Sequence, residues 1–125
     1  HLTWFDAVAM RFSQMLNRFD ALAITKLDVL DEMEEIPVCV AYEWQGARLK
    51  KFPSDTTVLE QCRPIYETRP GWRANTQGIR EFAKLPPLAQ DYIRHLEELV
   101  GTNIAFISTG PDRHDTIRHK EIALR

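Results

Sequence analysis

The sequence predicts an α+β or mixed α/β domain built from short strands, two main helices over about residues 4–18 and 87–100, and a β-hairpin over about residues 37–52. Three observations predict this class. Two segments repeat apolar residues at helical spacing, and one segment alternates apolar with other residues as a half-buried strand does. Two short apolar runs have the length of buried strands and end in polar loops. The chain has 125 residues, of which 44% are hydrophobic and 27% charged, as expected of one globular domain over residues 1–125.

The first helix is predicted by an apolar face in the opening segment. Its apolar residues recur three and four positions apart, with polar residues on the opposite face. They are Phe5, Val8, Ala9, Phe12, Met15, Leu16 and Phe19. Thr3 is a suitable N-cap, because its hydroxyl can accept a hydrogen bond from the first turn. The pattern stops at Asp20, and the apolar run over residues 21–25 has the length of a buried strand.

The hairpin is predicted by strict alternation of apolar side chains, as in a strand with one buried face. The alternating residues are Val38, Val40, Tyr42 and Trp44. Residues 45–46 (Gln-Gly) supply the turn, and residues 47–52 form the return strand. A short helix over residues 53–62 and a strand over residues 63–68 follow, with Pro64 favouring an edge position for that strand.

The second helix begins at Pro86-Pro87, since proline suits the first helical turn, and ends at Gly101. Its apolar stripe comprises Leu88, Tyr92, Leu96, Leu99 and Val100. A buried strand over residues 104–107 comes next, and the polar tail over residues 113–125 is predicted to lie at the surface. Residues 69–78 are predicted to form a loop, and Trp72, their only large apolar side chain, is expected to anchor it.

Composition excludes several classes of partner. Sixteen Lys and Arg residues against eighteen Asp and Glu leave a net charge of −2, which favours neither nucleic acid nor an anionic membrane. No apolar run approaches the roughly 20 residues of a membrane span, and no signal-peptide pattern occurs, so we expect a cytoplasmic protein. Cys39 and Cys62 are expected to be small apolar residues of a reducing compartment, although their spacing leaves a disulfide open.

Two segments place polar residues directly after a buried strand, where ligands bind in open α/β sheets. Lys26 and Asp28 follow the first strand, and residues 108–110 (Ser-Thr-Gly) follow the later one. A carboxylate can accept hydrogen bonds from the ring N–H and the exocyclic amine of guanine together, a pair that adenine does not offer. On an extended chain the lysine stem lies on the same side, against the base, and the Ser-Thr-Gly N–H groups face the guanine carbonyl oxygen. An exposed Lys-Asp pair at a strand end is the alternative.

Longer motifs resemble those of one enzyme family. Residues 4–9 (WFDAVA), 22–31 (LAITKLDVLD) and 107–113 (ISTGPDR) are similar to the C-terminal portion of adenylosuccinate synthetase, and residues 38–42, 64–72 and 97–101 follow in the family's order. The resemblance covers nearly the whole chain. It implies about the last third of that enzyme, from the C-terminal lobe of a fold similar to P-loop NTPases.

The resemblance also implies a function. The family is a cytoplasmic, homodimeric ligase that joins IMP and L-aspartate to adenylosuccinate in AMP biosynthesis, using GTP and Mg²⁺. By the resemblance, the residues that bind the guanine of GTP are Lys26, Leu27, Asp28, Ser108, Thr109 and Gly110. The family's phosphate loop of Gly-Asp-Glu-Gly-Lys-Gly-Lys type and its catalytic Asp and His are absent from these 125 residues. We therefore expect no catalytic residue or metal ligand here and no activity of the chain alone.

Two function classes stay open at this point. The chain is either a piece of the GTP-dependent ligase, which its opening on His1 favours, or a stand-alone module that binds a guanine nucleotide or a partner. Other candidates have simpler interpretations. His114 and His119 are expected in a solvated tail rather than a metal site, and His95 as a packed, hydrogen-bonded histidine. The acidic residues 31–35 are expected to form an exposed turn.

Overall fold

The computed structural model describes residues 5–6, 21–49 and 55–119, which form two β-sheets and two α-helices. The strands are β1 (Phe5–Asp6), β2 (Ala21–Ile24), β3 (Glu35–Trp44), β4 (Ala47–Leu49), β5 (Arg63–Pro70), β6 (Asn103–Ser108) and β7 (Thr116–Arg118). The α-helices are α1 (Thr56–Gln61) and α2 (Pro87–Val100), and two 3₁₀ helices cover Leu27–Leu30 and Phe82–Lys84. The mixed α+β class predicted from the sequence is confirmed.

The first sheet is organised around β3. The strand pairs with β4 through the predicted turn and with β5 along most of its length, both antiparallel, while β1 runs parallel to it. The predicted hairpin is therefore present, but its first strand begins at Glu35 and its second is described only to Leu49. Among the described residues β5 pairs with β3 alone, which is the edge position that Pro64 indicated.

The predicted start of the first helix is wrong. Phe5 and Asp6 lie in β1, where they pair with Val38 and Cys39 of β3, so a helix cannot begin at residue 4. Pairing with another part of the chain has overridden the helical spacing of the local apolar pattern. The rest of that predicted helix, residues 7–18, lies outside the described residues.

The second sheet has β6 at its centre, with β2 parallel to it and β7 antiparallel. Ile104, Ala105 and Ile107 of β6 are at most 1% exposed, consistent with a strand buried by its neighbours. The register pairs Ile24 at the end of β2 with Ile107 near the end of β6. The two strands therefore end side by side.

The polar tail over residues 113–125 was predicted to lie at the surface, and for Ile117 and His119 this is wrong. Residues 116–118 form β7, and Ile117 is fully buried. The Nε2 atom of His119 lies 3.4 Å from a carboxylate oxygen of Glu97 on α2, and its ring stacks on Phe82 with 3.9 Å between the ring centroids. The backbone N–H of His119 donates to the Ala105 carbonyl. The side chain of Ile117 packs into the core and so holds this segment against it. The prediction missed this contact because the residues around Ile117 are polar.

Helix α2 packs its apolar face on the core and ends at Gly101, which adopts the left-handed conformation. The buried residues of this face are Ala89, Tyr92, Ile93, Leu96 and Val100, whereas Leu88 of the predicted stripe is 39% exposed. Burial raises the pKa of Tyr92 to about 12, so its hydroxyl stays protonated over the physiological range. No helix in the described ranges is long and apolar enough to cross a membrane. The cysteines form no disulfide; Cys39 is buried and Cys62 partly so.

Candidate functional site

The parallel pairing of β2 and β6 brings the two predicted ligand-binding segments to one edge of the second sheet. Ile24, the last residue of β2, pairs with Ile107, and β6 ends one residue later at Ser108. Lys26 follows β2 by two positions, and Thr109 follows β6 directly. This edge is the carboxyl end of a parallel strand pair, the position at which α/β sheets bind ligands.

The chain leaves β2 through a left-handed residue rather than in the extended conformation assumed from the sequence. Lys26 has φ 57° and ψ 46°, and a 3₁₀ helix over Leu27–Leu30 begins directly after it. For a residue other than glycine this conformation costs about 1 kcal/mol, and such strain is concentrated at functional sites. The turn directs Leu27 into the core, where it is fully buried. Leu27 can therefore contribute only its backbone to a ligand.

Asp28 lies at the rim of an open cleft of about 770 Å³. The cleft is lined by Asp28, Val29, Asp31, Glu32, Arg73, Ala74, Asn75 and Gln77. Its volume is in the range of small-molecule sites. In the described part of the chain, neither the half-buried carboxylate of Asp28 nor the ammonium of the exposed Lys26 makes a hydrogen bond or ion pair. The cleft opens on the Asp28 side of the strand ends and does not include Lys26 or residues 108–110.

The Ser108-Thr109-Gly110 segment is less available than the sequence indicated. Thr109 is fully buried, its Oγ1 donates to the Ile79 carbonyl at 2.8 Å, and its N–H donates to the Asp115 carbonyl at 2.8 Å. The Ser108 hydroxyl donates to the Gly110 carbonyl at 3.4 Å. The Thr109 N–H is therefore not among the N–H groups that this turn was predicted to expose to a ligand. The Gly110 N–H donates to no acceptor among the described residues.

Gly110 has a steric requirement that the sequence did not reveal. A Cβ at this position would overlap the carboxylate of Asp115, which lies across the turn. A larger residue here would require the Asp115 side chain to move, because the overlap is with that side chain and not with backbone.

Asp31 is a structural residue that sequence reasoning missed. It was assigned to an exposed acidic turn, but its Oδ1 accepts from Trp72 Nε1 and Thr76 Oγ1, and its Oδ2 accepts from the Thr76 N–H, each at 2.7 Å. Trp72 is 7% exposed and so anchors its loop as predicted. No local signal could have identified Asp31, because its partners lie 41 and 45 residues away in the sequence.

The histidines do not form a metal site in the part of the chain that is described, where no group of three or more His, Cys, Asp or Glu side chains is placed to hold an ion. His114 is exposed, as predicted. His95 is packed, and its Nε2 lies 3.8 Å from a carboxylate oxygen of Glu67, but it has no hydrogen-bond partner among the described residues. Within the described residues, the hydrogen bond predicted for His95 is not found at its Nε2.

Comparison with known proteins decides the family. A family model described as adenylosuccinate synthetase matches residues 1–117. The chain belongs to the adenylosuccinate synthetase family. Among curated adenylosuccinate synthetases, that of Synechococcus sp. (strain JA-2-3B'a(2-13)) is 52% identical over 114 residues, covering 91% of this chain and 25% of that protein. That of Xanthomonas campestris pv. campestris (strain B100) is 49% identical, covering 91% and 26%.

A solved structure agrees with the family assignment. It is described as fully ligated adenylosuccinate synthetase from Plasmodium falciparum, and its match has a TM-score of 0.87 and 34% identity over 94% of this chain and 28% of that one. The chain spans about a quarter of the length of the curated synthetases that it matches. The expected share of about a third is therefore too large, and the expected C-terminal position is not confirmed.

Proposed function

We propose that this chain supplies the guanine-recognition part of the GTP site of an adenylosuccinate synthetase. One observation carries the proposal: two strand ends lie side by side, and the charged groups of Lys26 and Asp28 beside them make no bond to the described residues. Unpaired charged groups at the carboxyl edge of parallel strands are available for a ligand. Membership of the adenylosuccinate synthetase family makes a purine nucleotide the expected ligand.

Asp28 is the residue that selects the base. Its two carboxylate oxygens can accept from the N1–H and the 2-amino group of guanine, and such charge-assisted pairs are stronger than neutral hydrogen bonds. Adenine presents an acceptor at N1 and has no 2-amino group, so the same carboxylate would face a lone pair. Asp28 is half-buried at the cleft, so water screens its carboxylate only partly. Its hydrogen bonds to guanine are stronger for that reason.

Lys26 and Gly110 complete the base site from the two strand ends. The exposed stem of Lys26 can cover one face of the purine while its ammonium stays in water. The N–H of Gly110 is the donor available for the guanine carbonyl oxygen. Thr109 and Leu27 act through the backbone they hold in place, since both side chains are fully buried.

The complete enzyme would use this site in a reaction whose other parts lie outside the 125 residues. GTP would phosphorylate the carbonyl oxygen of IMP, and the amine of L-aspartate would displace that phosphate to give adenylosuccinate. Mg²⁺ would neutralise the phosphates of GTP when bound. We assign none of its ligands to the described residues, which offer no suitable cluster. We also propose a cytoplasmic homodimer for the complete enzyme, and no activity for this chain alone, because it has no phosphate-loop motif.

The proposal is tested by the nucleotide preference of the full-length protein. Calorimetric titrations with GTP, ITP and ATP should rank affinity in that order, since ITP loses only the 2-amino contact and ATP loses both contacts to Asp28. Formation of adenylosuccinate from IMP and L-aspartate, followed by absorbance, should show the same ranking. Equal affinity for GTP and ATP would overturn guanine recognition. Guanine-selective binding without ligase activity would instead favour a binding module.

A further inference from the structure

One loop connects both strand ends of the proposed base site. We call residues 72–79 the bracing segment. Near its start, Trp72 and Thr76 donate three hydrogen bonds to the carboxylate of Asp31, all at 2.7 Å. Asp31 directly follows the 3₁₀ helix of Asp28, and its N–H donates to the Asp28 carbonyl at 3.2 Å.

The other end of the bracing segment holds the second strand end. The N–H of Gly78 donates to the Thr109 carbonyl at 3.2 Å, and the Thr109 hydroxyl donates to the Ile79 carbonyl at 2.8 Å. Gly110, the proposed donor to the base, is the next residue along the chain. The bracing segment therefore sets the position of Asp28 relative to Gly110.

The donor side chains of these bonds are buried, whereas Asp31 itself is half-buried and lines the open cleft. Thr76 and Thr109 are fully buried, Trp72 is 7% exposed, and its indole lies 5.6 Å from the ring of Tyr92 on α2. Charge-assisted hydrogen bonds in such surroundings are strong and directional. Both carboxylate oxygens of Asp31 are already bonded to the loop, so the observed role of this residue is to hold backbone in place.

We propose that Asp31 and Thr76 are positioning residues that determine how well the site distinguishes guanine from hypoxanthine. The inference rests on the proposed function of Asp28 and Gly110. Recognition of the N1–H and 2-amino pair requires Asp28 to meet both donors while the base carbonyl meets Gly110. A loosened bracing segment lets the 3₁₀ helix shift, and the contact to the 2-amino group, which GTP has and ITP lacks, is weakened.

The test compares kcat/KM for GTP and for ITP in the full-length enzyme. In Asp31→Asn, either orientation of the amide turns an N–H₂ group toward a donor, Trp72 Nε1 in one case and the Thr76 N–H in the other. Thr76→Val removes only the hydroxyl and keeps the side-chain shape. We expect each variant to reduce the GTP/ITP ratio of kcat/KM by about fivefold, as the partial loss of one hydrogen bond implies. The KM for IMP should stay unchanged.

Controls separate positioning from general destabilisation. Glu98→Gln makes the same charge change as Asp31→Asn at an exposed site on α2, and it should leave the ratio at the wild-type value. Melting temperatures are measured for every variant, and Thr76→Val alone decides the matter if Asp31→Asn does not fold. If kcat/KM for GTP and ITP falls in parallel, the ratio is unchanged and the positioning role is overturned.

Asp28→Ala is measured in the same series. If it abolishes the GTP/ITP preference and the two positioning variants do not change it, only the inference about the bracing segment fails. If Asp28→Ala itself leaves the preference intact, guanine recognition at this site fails, and the positioning role fails with it.

Discussion

Replacing Asp28 by alanine in the full-length enzyme is expected to weaken GTP binding by about a hundredfold. The carboxylate is proposed to accept two charge-assisted hydrogen bonds from guanine, each contributing roughly 1.5–3 kcal/mol, and about 1.4 kcal/mol corresponds to a tenfold change in affinity. Water entering the open cleft recovers part of the loss, so the expected effect lies toward the lower end of that sum. The measurement is the Kd of GTP by calorimetry, together with the KM for GTP at saturating IMP and L-aspartate.

The effect should be confined to guanine binding. ATP binding should change little, because alanine removes contacts that adenine does not make. Asp91→Ala serves as the matched control, since Asp91 is an exposed carboxylate on α2 that pairs with Arg94 at 3.3 Å, outside the proposed base site. A Kd for GTP that is the same in Asp28→Ala and Asp91→Ala would contradict the assignment of Asp28.

Gly71→Ala is expected to destabilise the fold by about 3–5 kcal/mol, at the upper end of the range for single substitutions. A Cβ at this position would overlap the Met33 carbonyl oxygen and lie 2.8 Å from its carbonyl carbon. The Gly71 N–H donates to the Glu34 carbonyl at 2.8 Å, so the two backbones cannot separate without losing that bond. Urea unfolding of the full-length enzyme, followed by circular dichroism, measures the change where unfolding is reversible.

A second glycine gives the comparison for this prediction. Gly101 has φ +80° and no atom within 4 Å of a Cβ, so Gly101→Ala adds only backbone strain of about 1 kcal/mol. Gly71→Ala should therefore cost clearly more than Gly101→Ala. If the two substitutions lower the free energy of unfolding equally, the backbone around Met33 can move away from the new Cβ without a measurable loss of stability, and the prediction is wrong.

Local patterns predicted the elements whose signals lie within a few residues. Helix α2 begins at Pro87 and ends before Gly101 because proline suits its first turn and glycine adopts the left-handed cap. The apolar runs that became β2 and β6 were identified in the same way, and their parallel pairing brings together the two segments that are predicted to bind a ligand. The place of the candidate site could thus be predicted from the sequence.

The detailed geometry of the candidate site could not be predicted from the sequence. The sequence Lys-Leu-Asp carries no sign that Lys26 adopts a left-handed conformation, since that conformation is imposed on a residue other than glycine by the surrounding fold. Alternation along an extended chain was therefore the wrong basis for placing Lys26 and Asp28 together. In the structure the 3₁₀ helix that follows places Asp28 on the cleft and Leu27 in the core.

Contacts with residues far away in the sequence explain why Asp31 and His119 were also predicted wrongly. Asp31 was assigned to a solvated acidic turn because its neighbours are charged, yet its carboxylate binds Trp72 and Thr76. His119 was assigned to the polar tail, yet it packs against Phe82 and Glu97. Both depend on residues more than 20 positions away, and a single sequence contains no signal for such pairs.

The preference of the Asp28→Asn enzyme for GTP against XTP is the sharpest test of guanine recognition by Asp28. An asparagine amide presents one acceptor and one donor, which match the N1–H and the 2-oxo group of xanthine, whereas its N–H₂ group would face the 2-amino group of guanine. With both nucleotides measured by kcat/KM at saturating IMP and L-aspartate, the wild type should prefer GTP. The variant should prefer XTP by about tenfold. A variant that still prefers GTP would contradict recognition of guanine by Asp28.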